Sequence, residues 1–264
     1  LNIAKATEAL DKSWIAQRRP PEAATALSRL AAFFASAKET QLKTAIRDIC
    51  ARFIDEGSNA ELRTFSGDPT AQLSRLSRLV RELVRLAPDG GNTAQRIAGI
   101  LIEQLNASSP VVVDGTQDKA SVTNATSKKP GDISVSDENG NVLMVFEVTT
   151  KAFKDQRIAE CSQALEQFAT ASGQKIERVC VLCRDVDVPD FIVPTDPPSG
   201  IFLGSHTHDG YEYEFVEIFG WADAILATLN EGERLNFMTS LVAYVNDFQT
   251  SANVKSAFAQ LNNR

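Results

Sequence analysis

The sequence contains few of the residue types that bind transition metals or form disulfides, with two histidines and four cysteines in 264 residues. The cysteines show no spacing typical of a disulfide framework, which favours a reduced, cytoplasmic compartment. Cys180 and Cys183 lie in an apolar run that predicts a buried strand, where residues three apart face opposite sides. We interpret them as core residues rather than as a zinc or redox site.

Long apolar runs are also missing. No stretch of about 18 uncharged apolar residues occurs, so the sequence predicts no membrane span. A phosphate-binding P-loop, a dinucleotide glycine fingerprint and a Gly-x-Ser-x-Gly motif are absent, which argues against the enzyme classes that use them. The first residues lack both an initiator Met and a signal-peptide apolar region, which leaves open whether the chain belongs to a longer protein.

Net positive charge is lacking as well, since the formal net charge is −7. The charges are unevenly distributed, because residues 1–108 carry 15 Lys and Arg against 12 Asp and Glu, and residues 109–264 carry 12 against 22. Binding to polyanions depends on local fields more than on totals. The mildly basic region 1–108 therefore leaves binding to a polyanion open despite the acidic total.

Hydrophobic periodicity divides the chain near residue 107. Before that point, apolar residues at spacings of three and four predict helices throughout, the last one from about 93 to 105 with Thr93 as its N-cap. From residue 93 onward, the predicted order is helix, strand, strand, strand, helix, strand, and helices close the chain. We therefore predict an α/β protein with a helical domain over 1–91 and an α/β domain over 92–264.

Two acidic residues stand out in the first predicted hairpin. Asp132 follows Pro130-Gly131, and Glu147 ends the apolar run 142–146 after the hairpin signal Asn139-Gly140. A hairpin can bring an acid on one strand close to an acid on the other, and converging carboxylates suit a hard divalent cation. A simple turn for Asp132 and a solvated strand end for Glu147 are the structural alternatives, although a buried Glu147 would need a partner.

Pro130-Gly131-Asp132, followed by Glu147 and Lys151 at the end of an apolar strand, resembles the signature of PD-(D/E)XK nucleases. The resemblance covers roughly residues 95–185, and the stretches 128–133 and 146–151 around the two acids are most similar to those of SacI-type restriction enzymes. The predicted element order matches the αβββαβ core with a mixed sheet of that superfamily. The resemblance implies Mg²⁺ as cofactor, held by Asp132 and Glu147, and double-stranded DNA as substrate. It also implies a catalytic domain over 92–264 and a DNA-binding or assembly domain over 1–91.

The lysine departs from the signature, because Thr149 occupies the position two residues after Glu147 where a lysine is expected. Lys151 lies on the same strand face if the strand stays regular, and it is our first choice for the catalytic lysine. Lys129, and less so Lys128, can approach from the neighbouring strand. The lysine would orient the attacking water and stabilise negative charge.

Other polar residues extend the predicted site. Glu103, on the helix before the first core strand, is a further candidate metal ligand, with a solvated helix face as its alternative. Gln156 and Arg157 begin the following helix and are candidates for DNA contact. Asp114 is interpreted as a turn residue, and His206 and His208 as part of a surface loop.

The helix predicted over 68–86 carries a stripe of arginines at spacings of three, three and four, formed by Arg75, Arg78, Arg81 and Arg85. Such a stripe can follow a phosphate backbone, although most charged stripes are solvated faces.

Three functions follow from these patterns. The first is a Mg²⁺-dependent, sequence-specific endodeoxyribonuclease of the restriction type, acting as a homodimer on a two-fold symmetric site. The second is a non-catalytic DNA-binding or assembly module with a degenerate nuclease-like fold, favoured by the displaced lysine. The third is an enzyme of another class that uses a carboxylate pair.

Overall fold

A computed structural model describes residues 21–58, 62–65, 73–118, 129–194 and 199–262. The chain divides into two compact units, Leu1–Glu61 and Leu62–Arg264. This division lies 30 residues before the predicted domain boundary at 91/92. The difference arises because the helix Leu73–Leu86 buries its apolar side, including Leu76 and Leu83, in the core of the second unit.

The first unit contains two described helices, α1 (Pro21–Ser36) and α2 (Glu39–Ser58). Proline suits the first turn of α1, because the backbone N–H groups of that turn have no partner within the helix. The Oε1 atom of Gln41 accepts a hydrogen bond from the backbone N–H of Lys38 at the start of α2.

The second unit alternates helices with a sheet. Its helices are α3 (Leu73–Leu86), α4 (Asn92–Leu105), α5 (Asp155–Ser172), α6 (Ile218–Thr228), α7 (Glu231–Asn246) and α8 (Ala252–Asn262). Its strands are β1 (Val111–Asp114), β2 (Ile133–Asp137), β3 (Val142–Val148), β4 (Arg178–Cys183), β5 (Phe202–His208) and β6 (Tyr211–Glu217).

The strands form one mixed six-stranded sheet in the order β1-β2-β3-β4-β6-β5. β1, β2 and β3 are joined antiparallel, β3, β4 and β6 are parallel, and β5 pairs antiparallel with β6. The parallel connection from β3 to β4 requires a crossover, which α5 supplies. The predicted αβββαβ order and the mixed sheet are confirmed.

Helices cover both faces of the sheet. Successive strand residues point to opposite sides, so each strand contributes side chains to both of the cores beneath these helices. Phe146, Leu182 and Val216 belong to a large core that includes buried residues of α3, α4, α6, α7 and α8. Their neighbours Val145 and Val181 belong to a second core against α5. The α5 side is the one on which Glu147, two residues after Val145, also lies.

Two local predictions are wrong. Thr93 is not the N-cap of α4, since Gly91 takes that place, and the Thr93 hydroxyl instead donates to the carbonyl of Ala87. The histidines lie in strand β5 rather than in a loop, and the turn Asp209-Gly210 joins it to β6 with positive φ angles of 51° and 82°. Asp-Gly is a strong hairpin signal for this backbone.

Among the described residues, no helix is both long enough and apolar enough to cross a membrane.

Candidate active site

The hairpin of β2 and β3 places Asp132 opposite Glu147. Ile133 pairs with Phe146 in the antiparallel register, so the residues one step further out, Asp132 and Glu147, face each other. The backbone N–H of Val148 donates to Oδ2 of Asp132 at 2.9 Å, which ties the end of β3 to the start of β2. The expected convergence of the two acids is therefore present.

The turn of this hairpin is held by Asp137. Its Oδ1 atom accepts hydrogen bonds from the backbone N–H groups of Asn139 and Asn141 at 2.9 and 2.8 Å. Gly140 adopts a φ of 81°, which costs glycine little. The turn closes the hairpin, and a register shift between Val135 and Ser136 then leads to the pairing that brings the acids together.

Both carboxyl groups are buried, with Asp132 8% and Glu147 1% exposed. Burial and the neighbouring Glu147 carboxylate raise the pKa of Asp132 to about 8, despite the opposing effects of Arg157 and the Val148 N–H. A hydrogen bond between the two carboxyl groups favours the protonated form further. Near neutral pH the raised pKa favours a protonated carboxyl within the metal-free acid pair.

Arg157, the third residue of α5, bridges the two acids. Its Nη2 atom lies 3.0 Å from Oε2 of Glu147 and 3.4 Å from Oδ2 of Asp132. The guanidinium also lies 5.5 Å from the ring centroid of Phe153, which itself packs edge-on against Phe215. Sequence reasoning placed Arg157 near the site, and the structure puts it in direct contact with both acids.

Cys161 is a member of the site that sequence reasoning missed. It lies one helical turn after Arg157, is buried, and makes a hydrogen bond to Glu147. Burial, followed by the Glu147 carboxylate, raises the pKa of its thiol well above the usual value, so it is a neutral neighbour. The spacing of four from Arg157 on a helix is the signal that could have identified it.

The backbone at Asp132 is supported from α4, a contribution that sequence reasoning also missed. Gln95 is 1% exposed, and its Nε2 atom donates to the carbonyls of Gly115 and Asp132 at 3.3 and 3.5 Å. Gly115 has a φ of 92° and packs directly on the Asp132 carbonyl, which leaves no space for a side chain. A polar residue on the apolar face of α4 was the available signal.

Lys151 does not continue the strand. β3 ends at Val148, and the backbone N–H of Lys151 donates to Oγ1 of Thr149 at 3.1 Å in a tight turn. The condition for placing Lys151 beside Glu147, a strand that stays regular to residue 151, is not met. The side chain of Lys151 is exposed.

Lys129 is engaged by other acids. Its Nζ atom lies 3.1 Å from Asp114 and 2.6 Å from Asp118. Burial alone would lower the pKa of Lys129, but its hydrogen bonds to Asp118 and Asp114 raise it overall. Asp114, predicted as a turn residue, accepts from the N–H of Gly115 and from this lysine. Lys128 lies outside the described residues.

A clamp fixes the loop between β3 and α5. Arg184 binds both carboxylate oxygens of Asp187 at 2.6 and 3.0 Å and donates to the carbonyl of Thr150 at 2.8 Å. The carbonyl of Asp187 accepts from the N–H of Phe153 at 3.1 Å. The loop that supports the ring under Arg157 is thus held by β4 and the turn after it.

Two other predicted residues stand apart from the acid pair. Glu103 is half-buried on α4, about 12 Å further along the helix axis than Gln95. The described residues contain no cluster of three or more His, Cys, Asp or Glu that could hold a metal, so Glu103 does not join Asp132 and Glu147 in one. Gln156 is exposed and donates to Glu160 on its own helix.

Arg81 and Arg85 make contacts inside the second unit. Arg81 forms an ion pair with Asp223 at 2.8 Å, and its guanidinium lies 4.9 Å from the ring centroid of Phe219. Arg85 lies 5.1 Å from the same ring. These contacts with α6 provide the partners that relieve like-charge repulsion along the stripe.

Arg75 and Arg78 differ from each other. Arg75 donates to the carbonyl of Asn262 at 2.9 Å and lies 4.8 Å from the ring centroid of Phe65. Arg78 is exposed. The stripe therefore serves in part to join α3 to its neighbours, and Arg78 and Arg85 are its exposed members, accessible to an external anion.

The donor set at Asp132 and Glu147 fits a hard divalent cation. Two carboxylates converge where one guanidinium supplies a single positive charge, so the ionised pair keeps an unbalanced negative charge. Burial first, and the Glu147 carboxylate second, raise the pKa of Asp132, so a cation that neutralises the pair would favour its ionised form. The protein would supply two carboxylate ligands, and waters or substrate oxygens can complete the coordination of Mg²⁺.

A comparison of the chain with models of known protein families finds no match, and a search of curated proteins finds no similar sequence.

Proposed function

We propose that this chain is a Mg²⁺-dependent endodeoxyribonuclease that hydrolyses phosphodiester bonds in double-stranded DNA, similar to the PD-(D/E)XK restriction enzymes. The observation that carries the proposal is the convergence of Asp132 and Glu147 from opposite positions of the β2–β3 hairpin, within an αβββαβ core. Acidic pairs buried to this degree are costly to maintain, which favours a functional reason for them.

A bound Mg²⁺ would supply charge neutralisation at the phosphate and a more acidic attacking water. Asp132 and Glu147 would hold it, with Asp132 deprotonated. The Val148 N–H keeps the Asp132 carboxylate turned toward Glu147. Burial against α5 excludes bulk water from the acid pair, which strengthens its interaction with cationic groups.

The partner and the assembly follow from the substrate. A two-fold symmetric DNA site would call for a homodimer, each copy cutting one strand. Arg78, exposed on α3, is available for a phosphate.

We propose a cytoplasmic enzyme, because the cysteines of the described residues are free. The thiols of Cys180 and Cys183 are also shielded, and burial raises the pKa of each to about 12.

The proposal is tested by incubating purified protein with a mixture of plasmid and phage DNA and Mg²⁺. We expect discrete fragments from the unmodified sequence and a loss of at least about 100-fold in rate for Asp132→Asn and for Glu147→Gln. Glu138→Gln, an exposed carboxylate in the same hairpin turn, is the matched control and should cut normally. Unchanged cutting by both acid variants would overturn the assignment.

The second candidate is a DNA-binding or assembly module without catalysis. The observation that favours it is the position of Thr149, which is buried where the signature has a lysine. It predicts metal-independent DNA binding and no cleavage with any divalent ion. Binding assays at low salt separate it from an enzyme acting on other substrates, because phosphate contacts are strongest under that condition.

A further inference from the structure

We propose that Arg157 performs the role of the signature's missing lysine, as the cationic residue that contacts the scissile phosphate. This inference rests on the proposed nuclease function and adds to it a specific catalytic residue. The geometry that supports it is the contact of one guanidinium with both acids, 3.0 Å from Glu147 and 3.4 Å from Asp132.

The two lysines of the predicted site are placed differently. Lys151 follows a turn after the end of β3 and is exposed. Lys129 is bound by Asp114 and Asp118, so moving it to a phosphate would break two ion pairs. Within the described residues, Arg157 is the cationic side chain whose ion pairs join Asp132 and Glu147.

The position of Arg157 follows from the chain's path. β3 delivers Glu147, the loop 149–154 crosses the end of the sheet, and α5 begins at Asp155. Arg157 therefore lies in the first turn of α5, and its side chain extends back to Glu147 at the C-terminal end of β3. A cationic side chain from the crossover helix can thus approach the space that a lysine on the strand would occupy.

The guanidinium is fixed before any ligand arrives. Two carboxylates and the Phe153 ring hold it, and the clamp of Arg184 and Asp187 holds the loop that carries this ring. Fixed donors lose little conformational freedom when charge develops in the transition state. The Arg157 side chain is 36% exposed, so a phosphate can reach it from solvent.

The available donors suit a phosphate. Both contacts to the acids run through Nη2, and an arginine has five N–H donors, so the fork can bind carboxylate and phosphate oxygens together. Burial alone would lower the pKa of Arg157, but Glu147 and Asp132 raise it overall. The group therefore stays charged and acts by hydrogen bonding and charge, not as a base.

The reaction served is hydrolysis. The oxygen of a water molecule forms a bond to phosphorus, and the bond from phosphorus to the leaving deoxyribose oxygen breaks. The proton of the water passes to solvent, and the leaving oxygen takes a proton from solvent. Negative charge grows on the phosphoryl oxygens during this step, and Arg157 donates N–H groups to one of them.

The test compares Arg157→Gln and Arg157→Lys with the unchanged protein, using single-turnover cleavage of a DNA duplex and Mn²⁺ binding by electron paramagnetic resonance. We expect Arg157→Gln to lower the cleavage rate by about 100-fold or more, and Arg157→Lys to recover part of it. The Mn²⁺ dissociation constant of Arg157→Gln should be unchanged or lower, because the acids lose a competing cation. Lys175→Gln, an exposed lysine beyond the end of α5, is the control and should retain the full rate.

Weakened Mn²⁺ binding in both Arg157 variants, in proportion to the loss of rate, would mean a structural role and would overturn the inference. So would normal cleavage by Arg157→Gln together with a loss in Lys151→Ala, although the nuclease assignment would then stand. No cleavage by the unchanged protein with Mg²⁺ or Mn²⁺ would overturn the nuclease assignment and this inference with it.

Discussion

Gly131 packs against Val145 so closely that a β-carbon on the glycine would lie 2.5 Å from Cγ1 of the valine. The same β-carbon would lie 3.0 Å from the carbonyl oxygen of Phe146 and 3.4 Å from Oε1 of Glu147. The glycine between Pro130 and Asp132 is therefore required by packing, since its φ is not in the left-handed region. Its small size brings the start of β2 against the end of β3.

Gly131→Ala should separate the two strands at the acid pair. We expect it to lower the free energy of unfolding by about 1–3 kcal/mol, because β3 must shift to admit the methyl group. It should also reduce DNA cleavage. Gly200→Ala is the control, since its added β-carbon meets open space and the glycine has no positive φ. Equal stability of the two variants by urea denaturation would contradict the packing argument.

The stability of the metal-free protein should fall as pH rises. The folded pKa of Asp132 is raised to about 8, so the protonated carboxyl favours the folded state. That contribution is fully present below the unfolded pKa of about 4 and is lost as pH rises toward the folded value. Asp132→Asn should flatten this fall, as measured by thermal unfolding between about pH 5 and about pH 9.

Mg²⁺ should reverse the trend, because it binds the deprotonated carboxylate and releases the Asp132 proton. The increase in stability that Mg²⁺ gives the unchanged protein should therefore be larger near about pH 9, where the carboxyl is ionised, than near about pH 6, where it is protonated. Asp132→Asn should show little stabilisation at either pH. Equal Mg²⁺ stabilisation at both values would argue against binding at this pair.

Two arginines of α3 should have different roles, Arg81 in stability and Arg78 in DNA binding. Arg81→Ala should lower the free energy of unfolding by about 1 kcal/mol, because it removes a partly exposed ion pair and a ring contact. Arg78→Ala should leave stability unchanged and weaken DNA binding with a smaller salt dependence. If Arg78→Ala binds DNA normally while Arg81→Ala folds normally, both assignments are wrong.

The clamp on the loop before α5 should matter for activity. Arg184→Lys keeps the charge but loses the two-pronged contact with Asp187, so the loop carrying Phe153 should loosen. We expect a decrease in cleavage rate of about tenfold or more through misplacement of Arg157. Arg178→Lys is the control and should cut normally, because Arg178 begins β4 and its exposed ion pair joins Glu212 of β6.

Much of the fold could be predicted from the sequence. The apolar runs of β3 and β4 and the Asn139-Gly140 turn are local signals, and they identified the hairpin, the crossover helix and the order of these elements along the chain. A short strand is predicted at 201–203, but the rest of β5 was missed because residues 204–208 are polar or small, and only pairing with β6 makes them a strand. The boundary of the helical domain also depended on tertiary packing of α3.

The sequence predicted the two acids of the candidate site correctly, but it did not predict which cationic side chain lies beside them. Asp132 and Glu147 follow from hairpin register, which depends on residues close in sequence. The path after Val148 depends on the turn at Thr149 and on the Arg184 clamp, neither of which a strand pattern contains. Gln95 and Gly115 were missed because their contacts with Asp132 span the sequence gap between α4 and β2.

The acid pair, Arg157 and Cys161 all come from one ββα segment, β2, β3 and α5, with short connections. Contacts between residues that are near in sequence require little loop closure, so they can form early as a chain folds. The remaining apolar surface of the segment becomes buried only when α4, which precedes it in the chain, and β4, which follows it, pack against it. The acids and the guanidinium of the candidate site thus lie close together in the sequence, whereas the contacts that hold their backbone come from α4 and from the clamp after β4.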